Sequence, residues 1–324
     1  MDSQAELAPR IRFYDHKPKS VSLYEAVIDG FSRPNKSLPP KFFYDERGSY
    51  LFDQICDQPE YYLPDIERNL LIRHRHHIAD LIGKGRVVIE PGAGSLTKIR
   101  LLLEQLEPDA FVPMDISGRY LQAACRDLAE DYPELDIHGV CVDFTHSMPL
   151  PDMISDAPRL AFFPGSSLGN FHQHEASQFL SMIRKTIGKD GMLLIGVDTK
   201  KPADILNAAY NDAAGITAEF NLNLLHRILN ELEADLDVNN FDHHAFYNQN
   251  KGRIEMHLVS QREQRVRVGE HDFHFKSGES VHTECSYKYS PDEFISLAAE
   301  AGMEPVHYWL AEDQLFGMYL LRSI

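Results

Sequence analysis

The fold of this chain is decided by the stretch Val87-Val88-Ile89-Glu90-Pro91-Gly92-Ala93-Gly94-Ser95. Its apolar β-branched start predicts a buried strand, and the Gly-x-Gly that follows predicts a tight turn into a helix. Glycines in such a turn let the backbone approach a bound nucleotide closely. Because Thr97 occupies the third glycine position of G-x-G-x-x-G, a pyrophosphate-binding dehydrogenase is disfavoured. The turn favours nucleotide binding over a plain strand-to-helix connection.

On either side of this turn, apolar runs alternate with amphipathic stretches, which predicts βα units and a mostly parallel sheet. The predicted strands are Arg86–Glu90, Ala110–Asp115, Ile137–Asp143, Leu160–Phe163 and Met192–Asp198. The predicted helices are Leu96–Leu106, with Ser95 as its N-cap, Gly118–Asp131 and Gln173–Ile187. The fold class is therefore expected to be α/β with a Rossmann-like core.

The alternation breaks after the fifth strand. Ala203–Glu233 predicts one long helix, and Phe241–Tyr289 predicts an antiparallel meander with a turn at Asn250-Lys251-Gly252. A helix at Pro291–Ala301 and a closing hairpin of Val306–Leu310 and Phe316–Leu321 follow. We expect four parts: residues 1–85, a mainly helical N-terminal segment that contributes to the substrate site; 86–200, the nucleotide-binding core; 201–290, a helical and β-meander substrate-binding insertion; and 291–324, a helix and strands that complete the core.

Composition restricts the class of ligand. Among 324 residues, 49 acids against 32 bases give a formal charge of −17, which disfavours nucleic-acid and anionic-membrane partners and favours small neutral or cationic ligands. Four separated cysteines without a Cys-x-x-Cys pair indicate reduced thiols. The residues from Met1 to Ser20 contain no apolar targeting segment, and no later run approaches the length of a membrane span, so a cytoplasmic protein is expected.

The sixteen histidines raise the hypothesis of a metal site. No acidic or cysteine partner completes a four-ligand spacing around them, and Arg73-His74-Arg75-His76-His77 is typical of the polar face of a helix. We therefore expect no metal.

Acidic residues at the strand ends indicate the chemistry of the nucleotide. Glu90, before the glycines Gly92 and Gly94, and Asp115, at the end of the next strand, suit a ligand with a cationic amino acid part and a ribose diol. S-adenosylmethionine has both. The pair Asp143-Phe144 would then accept a hydrogen bond from the adenine amino group and pack against its ring.

Several segments in a fixed order resemble the histidine-specific Nα-methyltransferase family of ergothioneine biosynthesis, from about Ser20 to the C-terminus. They are Lys36-Ser37-Leu38-Pro39-Pro40-Lys41-Phe42-Phe43-Tyr44-Asp45, Leu51-Phe52-Asp53-Gln54-Ile55, Pro59-Glu60-Tyr61-Tyr62, Gly165-Ser166-Ser167-Leu168-Gly169-Asn170-Phe171, Ala209-Tyr210-Asn211-Asp212-Ala213-Ala214-Gly215-Ile216-Thr217 and Arg253-Ile254-Glu255-Met256. The resemblance implies a class I (Rossmann-like) methyltransferase core with an inserted antiparallel β substrate lobe. It also implies transfer of three methyl groups from S-adenosylmethionine to the α-amino group of L-histidine, which gives hercynine and S-adenosylhomocysteine.

The resemblance further implies a role for individual residues. The cofactor contacts would come from Gly92, Lys98, Asp115, Asp143 and Phe144. The amino acid's backbone end would be held by Tyr61, Asn170 and Tyr210, with Tyr44 near the amine, and the imidazole by Glu284 and Ser286. Met256 would be core or would border the imidazole pocket, whereas Tyr62, Phe42 and Phe43 are expected to be ordinary core. Tyr44 and Tyr61 are the candidates for positioning the amine.

Other functions remain open at this point. A methyltransferase of the same family could act on another amino acid, such as an indole-bearing one, although Glu284 and Ser286 suit a ring with a donor and an acceptor. A non-catalytic adenosyl-ligand sensor is a second alternative. Methylation of nucleic-acid bases is disfavoured, since the fourth strand ends in Phe163-Pro164-Gly165-Ser166-Ser167 rather than Asn/Asp-Pro-Pro-aromatic. The oligomeric state does not follow from the sequence, and a monomer is compatible with it.

Overall fold

The computed structural model describes residues 10–16 and 22–324. In that part of the chain the strands are β1 (Ile11–Asp15), β2 (Val87–Pro91), β3 (Ala110–Asp115), β4 (Ile137–Cys141), β5 (Arg159–Phe163), β6 (Met192–Asp198), β7 (Phe241–Asn248), β8 (Arg253–Ser260), β9 (Gln264–Val268), β10 (His271–Phe275), β11 (Ser280–Tyr287), β12 (Met303–Leu310) and β13 (Phe316–Ser323). The α-helices are α1 (Leu23–Ser32), α2 (Glu46–Cys56), α3 (Leu63–Ile82), α4 (Arg100–Leu106), α5 (Gly118–Asp131), α6 (Gln173–Ile187), α7 (Ala203–Ala209), α8 (Ile216–Glu231) and α9 (Pro291–Glu300). The expectation about targeting rests partly on residues 1–9 and 17–21, which lie outside the described residues.

The large sheet has the order β1-β4-β3-β2-β5-β6-β13-β12. Strands β1 to β6 pair in parallel, whereas β13 runs antiparallel to both β6 and β12. The strand order reverses between β2 and β5, and ligands of open α/β sheets bind at the carboxyl ends of strands beside such a switch point. The predicted class I core and its closing antiparallel hairpin are confirmed. The third predicted strand ends at Cys141 rather than at Asp143.

Strand β1 is an addition to the predicted fold, because it lies in the segment expected to be mainly helical. It pairs in parallel with β4, from Ile11 opposite Ile137 to Asp15 opposite Cys141. All five of its side chains are exposed or half-buried, so it lacks the buried apolar face that marks a core strand in sequence. Ile11, Phe13 and Tyr14 favour a strand locally, and the free edge of β4 supplies the pairing that forms it. The described remainder of the segment carries α1, α2 and α3.

Two predicted helices are wrong in their extent. Helix α4 begins at Arg100, with Ile99 and not Ser95 at its N-cap, because Gly94 and Leu96 both have positive φ and the chain cannot yet be helical there. The long helix predicted at 203–233 is instead the pair α7 and α8. The break occurs where Asp212 accepts hydrogen bonds from the backbone N–H groups of Ile216 (2.7 Å) and Thr217 (2.8 Å), which caps α8.

The predicted meander forms two small sheets, one of order β11-β8-β7 and the hairpin β9-β10. Glu284 stands opposite Met256 across the β11-β8 ladder, so both side chains lie on one face. Apolar residues of this β lobe share one buried cluster with the N-terminal segment and α8, including Phe43, Phe220 and Leu258. Separate clusters cover the two faces of the large sheet. The lobe therefore packs as a unit with the N-terminal segment.

Candidate active site

The acidic side chains predicted to contact the nucleotide lie at the carboxyl ends of neighbouring strands. Glu90 lies at the end of β2, Asp115 ends β3, and Asp143 follows β4. Because these strands are parallel, their carboxyl ends meet at one edge of the sheet, beside the switch point. The structure thus brings this predicted set together.

The glycine turn is closed by Asp115 and by an aromatic ring. One carboxylate oxygen of Asp115 accepts from the backbone N–H of Gly94 (3.1 Å), and the other accepts from Ser117 (2.8 Å). Gly92 has φ +67°, and a side-chain carbon added there would lie 3.1 Å from Cζ of Phe144. Only glycine fits this position without strain. The turn and Phe144 form the cradle predicted for the nucleotide.

Glu90 provides a test of whether S-adenosylmethionine fits. Its Oε2 is buried and has no hydrogen-bond partner among the described residues. Burial raises its pKa well above the ordinary value; Lys98 partly offsets this increase, and Glu67 and Asp115 add to it. An unpartnered buried carboxylate is costly, and a cationic ligand group would satisfy it. The residues present therefore fit a ligand that carries an ammonium group.

Lys98 is held beside the switch point by a residue that the sequence analysis missed. Its Nζ donates to Oε2 of Glu67 at 2.5 Å, and Glu67 also accepts from the backbone N–H of Gly165 at 2.8 Å and 2.9 Å. Glu67 is fully buried on α3, one turn after Leu63 and one turn before Leu71. A lone acid on the apolar stripe of a helix is the sequence signal that could have identified it.

Asp143 has several side-chain partners. It accepts from Thr145 and contacts Nδ1 of His146, and Nζ of Lys41 lies 3.6 Å from its Oδ2. Burial alone would raise its pKa, but the hydrogen bonds from Thr145 and His146 outweigh burial and lower the pKa. Asp143 is therefore an ionised acceptor, and Lys41 links it to the N-terminal segment.

A cavity lies between the lobe, the N-terminal segment and the sheet; it is partly open to solvent, and its unfilled space, open solvent included, is about 580 Å³. The residues predicted to bind the amino acid all line it: Tyr44, Tyr61, Asn170, Tyr210, Met256, Glu284 and Ser286. Sequence reasoning missed Phe52, Ile55, Leu63, Ser166, Thr217 and Phe220, which also line it. Gly165 joins this cavity to the predicted cofactor residues, since it lines the cavity and lies beside Nζ of Lys98.

Glu284 is the charged group in the cavity wall. It is 9% exposed, and no described residue hydrogen-bonds to its carboxyl group. Burial raises its pKa to about 7, with a partial offset from Lys288. Ser286 lies two residues further along and lines the same cavity. The wall thus offers an acceptor and a hydroxyl side by side.

Aromatic rings also line the cavity. The centroids of Tyr61 and Tyr210 are 6.1 Å apart, and Tyr44 lies 5.7 Å from Phe52 and 5.8 Å from Phe220. Burial raises the pKa of Tyr61, with Tyr210 adding to the increase, so this phenol is neutral near neutral pH. Aromatic faces of this kind suit a cationic amine. Met256, 1% exposed, is both core and cavity wall.

A buried ion network behind this cavity was not predicted. Asp198 binds Nζ of Lys288 at 2.7 Å and Nζ of Lys201 at 2.5 Å. It also accepts from the hydroxyl of Tyr62 at 2.8 Å, so Tyr62 is more than the core residue expected, whereas Phe42 and Phe43 are buried core. Two sequence signals could have identified the network. Asp198 ends a parallel strand, and Lys288 continues the alternation of Glu284 and Ser286.

The histidine clusters do not converge. Across residues 10–16 and 22–324, no group of three or more His, Cys, Asp or Glu side chains is placed to hold a metal ion. Nowhere in the same residues is a helix both long and apolar enough to cross a bilayer.

A family model described as histidine-specific methyltransferase, SAM-dependent, matches residues 23–323. The chain belongs to this family. Histidine N-alpha-methyltransferase from Mycolicibacterium smegmatis is 38% identical over 307 residues, covering 92% of this chain and 94% of that protein. Ergothioneine biosynthesis protein 1 from Neurospora crassa is 32% identical over 302 residues, covering 89% of this chain and 33% of that protein. A solved S-adenosylmethionine-dependent methyltransferase from Clostridium acetobutylicum gives a TM-score of 0.46 at 10% identity, covering 86% of this chain and 98% of that one. This member of the family is an S-adenosylmethionine-dependent methyltransferase.

Proposed function

We propose that this methyltransferase transfers methyl groups from S-adenosylmethionine to the α-amino group of L-histidine, three in turn, to give hercynine for ergothioneine biosynthesis. We further propose that it acts in the cytoplasm and without a metal. The observation that carries the proposal is the buried, unpartnered carboxyl group of Glu284 beside Ser286, in a cavity that borders the cofactor residues.

Glu284 and Ser286 are proposed to select the imidazole ring. The carboxylate accepts from a ring N–H, and the hydroxyl serves the other nitrogen. Phenylalanine or leucine would leave Glu284 desolvated and unpaired, and sites of this kind reject such analogues strongly. An indole would satisfy only one of the two groups.

Asn170, Tyr61 and Tyr210 are proposed to hold the carboxylate end of histidine. A neutral amide and neutral hydroxyls bind a carboxylate without placing a full uncompensated positive charge beside the sulfonium. The nearby charge of Lys288 is balanced by Asp198, which is fully buried with it. The amino acid is thus fixed at both ends, with its amine facing the aromatic wall.

When bound, S-adenosylmethionine supplies an electrophilic methyl group. The chain's own contribution is to position the amine and to exclude water from it. Because its phenol is neutral, Tyr61 can accept a hydrogen bond from the amine but does not act as a standing base. The faces of Tyr44, Tyr61 and Phe220 can accommodate positive charge as the amine becomes quaternary.

The acceptor is tested by incubating the protein with S-adenosylmethionine and each proteinogenic amino acid separately, and then measuring product mass. We expect product with histidine alone, ending at the trimethylated mass. Product with tryptophan or another amino acid instead would overturn the acceptor, and a final product with one methyl group would overturn the degree of methylation.

The division of the site into two parts has its own test. Glu284→Ala is expected to raise the KM for histidine by about 100-fold, as for loss of a hydrogen bond to a charged group, with little change in S-adenosylhomocysteine affinity. Asp115→Ala should weaken S-adenosylhomocysteine binding instead. Steady-state kinetics with histidine and calorimetry with S-adenosylhomocysteine measure the two effects, and equal loss of S-adenosylhomocysteine binding in the two variants would show the division to be wrong.

A further inference from the structure

Lys288 lies directly behind the imidazole end of the cavity. Its side chain is fully buried, and its Nζ contacts Asp198 (2.7 Å), Oγ of Ser286 (3.0 Å) and the hydroxyl oxygen of Tyr210 (3.4 Å). The same Nζ lies 5.2 Å from the centre of the Tyr210 ring. Lys288 does not itself line the cavity, but Ser286 and Tyr210 both do.

Lys288 is an ammonium that uses all of its hydrogens. Burial alone would lower its pKa, but Asp198 outweighs burial and raises the pKa above the ordinary value. An ammonium has three N–H donors and no acceptor, and three oxygens surround this one. Ser286 and Tyr210 therefore both accept from Lys288.

This arrangement fixes the direction of two hydroxyl groups. A hydroxyl carries one hydrogen, and that hydrogen cannot point toward an ammonium. Burial raises the pKa of Tyr210, with partial offsets from the charge of Lys288 and from a side-chain hydrogen bond with Ser286, so its phenol also keeps its hydrogen. Both groups line the cavity, so in the free protein one hydroxyl can donate to the other, and a bound ligand can accept from either.

We propose, on the basis of the proposed function, that Lys288 is a positioning residue that makes Ser286 and Tyr210 hydrogen-bond donors toward the substrate. Ser286 then donates to the imidazole nitrogen that carries a lone pair, while Glu284 accepts from the nitrogen that carries hydrogen. Tyr210 donates to the substrate carboxylate. The site thus selects a neutral ring with one donor and one acceptor, and Lys288 sets that selectivity without touching the ring.

The experiment compares L-histidine with two analogues in which the ring is a pyrrole, so that one or the other imidazole nitrogen is replaced by carbon. The measured quantity is kcat/KM for histidine divided by kcat/KM for the better pyrrole analogue. In the wild type we expect a ratio of about 10 or more, because the Ser286 hydroxyl is held toward a C–H group in the pyrrole complex. In Lys288→Met the hydroxyl is free to turn, and the ratio should fall to within about threefold of unity. The KM for histidine should rise more than kcat falls.

Lys36→Met is the matched control. Lys36 is also largely buried, pairs with Glu279 and lies 4.9 Å from the centre of the Phe275 ring, but it does not line the cavity. Its substitution should leave the ratio at the wild-type value. Lys288→Arg, which keeps a donor near Ser286, should restore part of the ratio.

If Lys288→Met does not fold, Ser286→Ala tests whether the Ser286 hydroxyl determines the ratio, with Lys288 still in place. It should reduce the ratio toward unity by weakening histidine and not the pyrrole analogue. An unchanged ratio in Ser286→Ala, or in a folded Lys288→Met, would overturn the inference alone. A wild type that does not methylate histidine would overturn the proposed function and this inference together.

Discussion

Two glutamates of the β lobe, Glu284 and Glu255, have pKa values shifted in opposite directions by their surroundings. Glu284 on β11 is buried without a hydrogen bond from a described residue, and burial raises its pKa to about 7. Glu255 on β8 is also shielded from solvent, but Arg253 and Lys251 bind it. Burial alone would raise its pKa, and these hydrogen bonds outweigh it and lower the pKa to about 2. One carboxyl group has no partner within the lobe, which is why we propose that it binds the substrate, while the other stabilises the lobe.

Glu284→Gln should stabilise the free protein in a pH-dependent manner. The folded pKa of about 7 lies above the ordinary value of 4.5, so the unfolded chain releases this proton first as pH rises. The resulting cost to stability begins near pH 4.5 and is complete above pH 7. Glutamine carries no such cost. Chemical unfolding should show a gain of up to roughly 3 kcal/mol at pH 8 that shrinks below about 1 kcal/mol at pH 5.

Glu255→Gln is the matched opposite case. Its folded pKa lies below the ordinary value, so the carboxylate contributes stability above pH 4.5 that is lost as pH falls toward 2. The same unfolding assay at pH 8 should therefore show a loss. If both variants shift the free energy of unfolding in the same direction, burial and pairing do not control these two acids as argued.

At the scale of elements, the sequence predicts what depends on local pattern. The strands that carry Glu90 and Asp115 and the glycine turn between strand and helix are all visible in apolar runs and glycine spacing. Strand β1 is not, because it exists through its pairing with β4. The break before α8 is encoded by Asp212 as a cap, but the apolar periodicity on both sides of it conceals the cap.

In the candidate site too, features that depend on contacts between distant residues are harder to predict from the sequence than features of local pattern. The cavity residues came from a family resemblance that extends over distant segments, and the structure brings all of them to one cavity. Asp198 and Lys288 each carry a local signal, but their contact joins the end of β6 to the end of β11, 90 residues further along, and no local pattern specifies that the two residues pair. The contacts of Glu67 were not predicted for the same reason, since its partners Lys98 and Gly165 lie on other elements.

The glycine turn allows a prediction about a single element. Gly92 and Gly94 both have positive φ, so alanine at either should cost about 1 kcal/mol of backbone strain. An added carbon at Gly92 also meets Phe144, whereas at Gly94 nothing lies within 4 Å. We expect Gly94→Ala to lower the free energy of unfolding by about 1 kcal/mol and Gly92→Ala by at least twice that. Equal losses would mean that the Phe144 ring moves aside freely.

At the scale of the whole molecule, the cavity is assembled from distant parts of the chain that are fastened to one another. The N-terminal segment is hydrogen-bonded to the edge of the lobe, through Leu38 N–H to His282 C=O and His282 N–H to Lys36 C=O, both at 2.9 Å. The lobe is fastened to the sheet by the buried pair of Lys288 and Asp198. Opening the cavity therefore requires the contact between the N-terminal segment and the lobe and the contact between the lobe and the sheet to break at the same time.

This assembly predicts the pattern of backbone hydrogen exchange. A ligand that binds only the closed arrangement raises the free energy of every opening that exposes it. With S-adenosylhomocysteine present, adding histidine should slow exchange together in residues 44–61, 165–170 and 284–288, which are far apart in sequence but line or back one cavity. The hairpin β9-β10 belongs to the same lobe but contributes no cavity residue, so its exchange should stay unchanged. Slowing confined to 165–170 would mean that the N-terminal segment and the lobe do not close on the amino acid, and the three-part cavity would then not be the binding site.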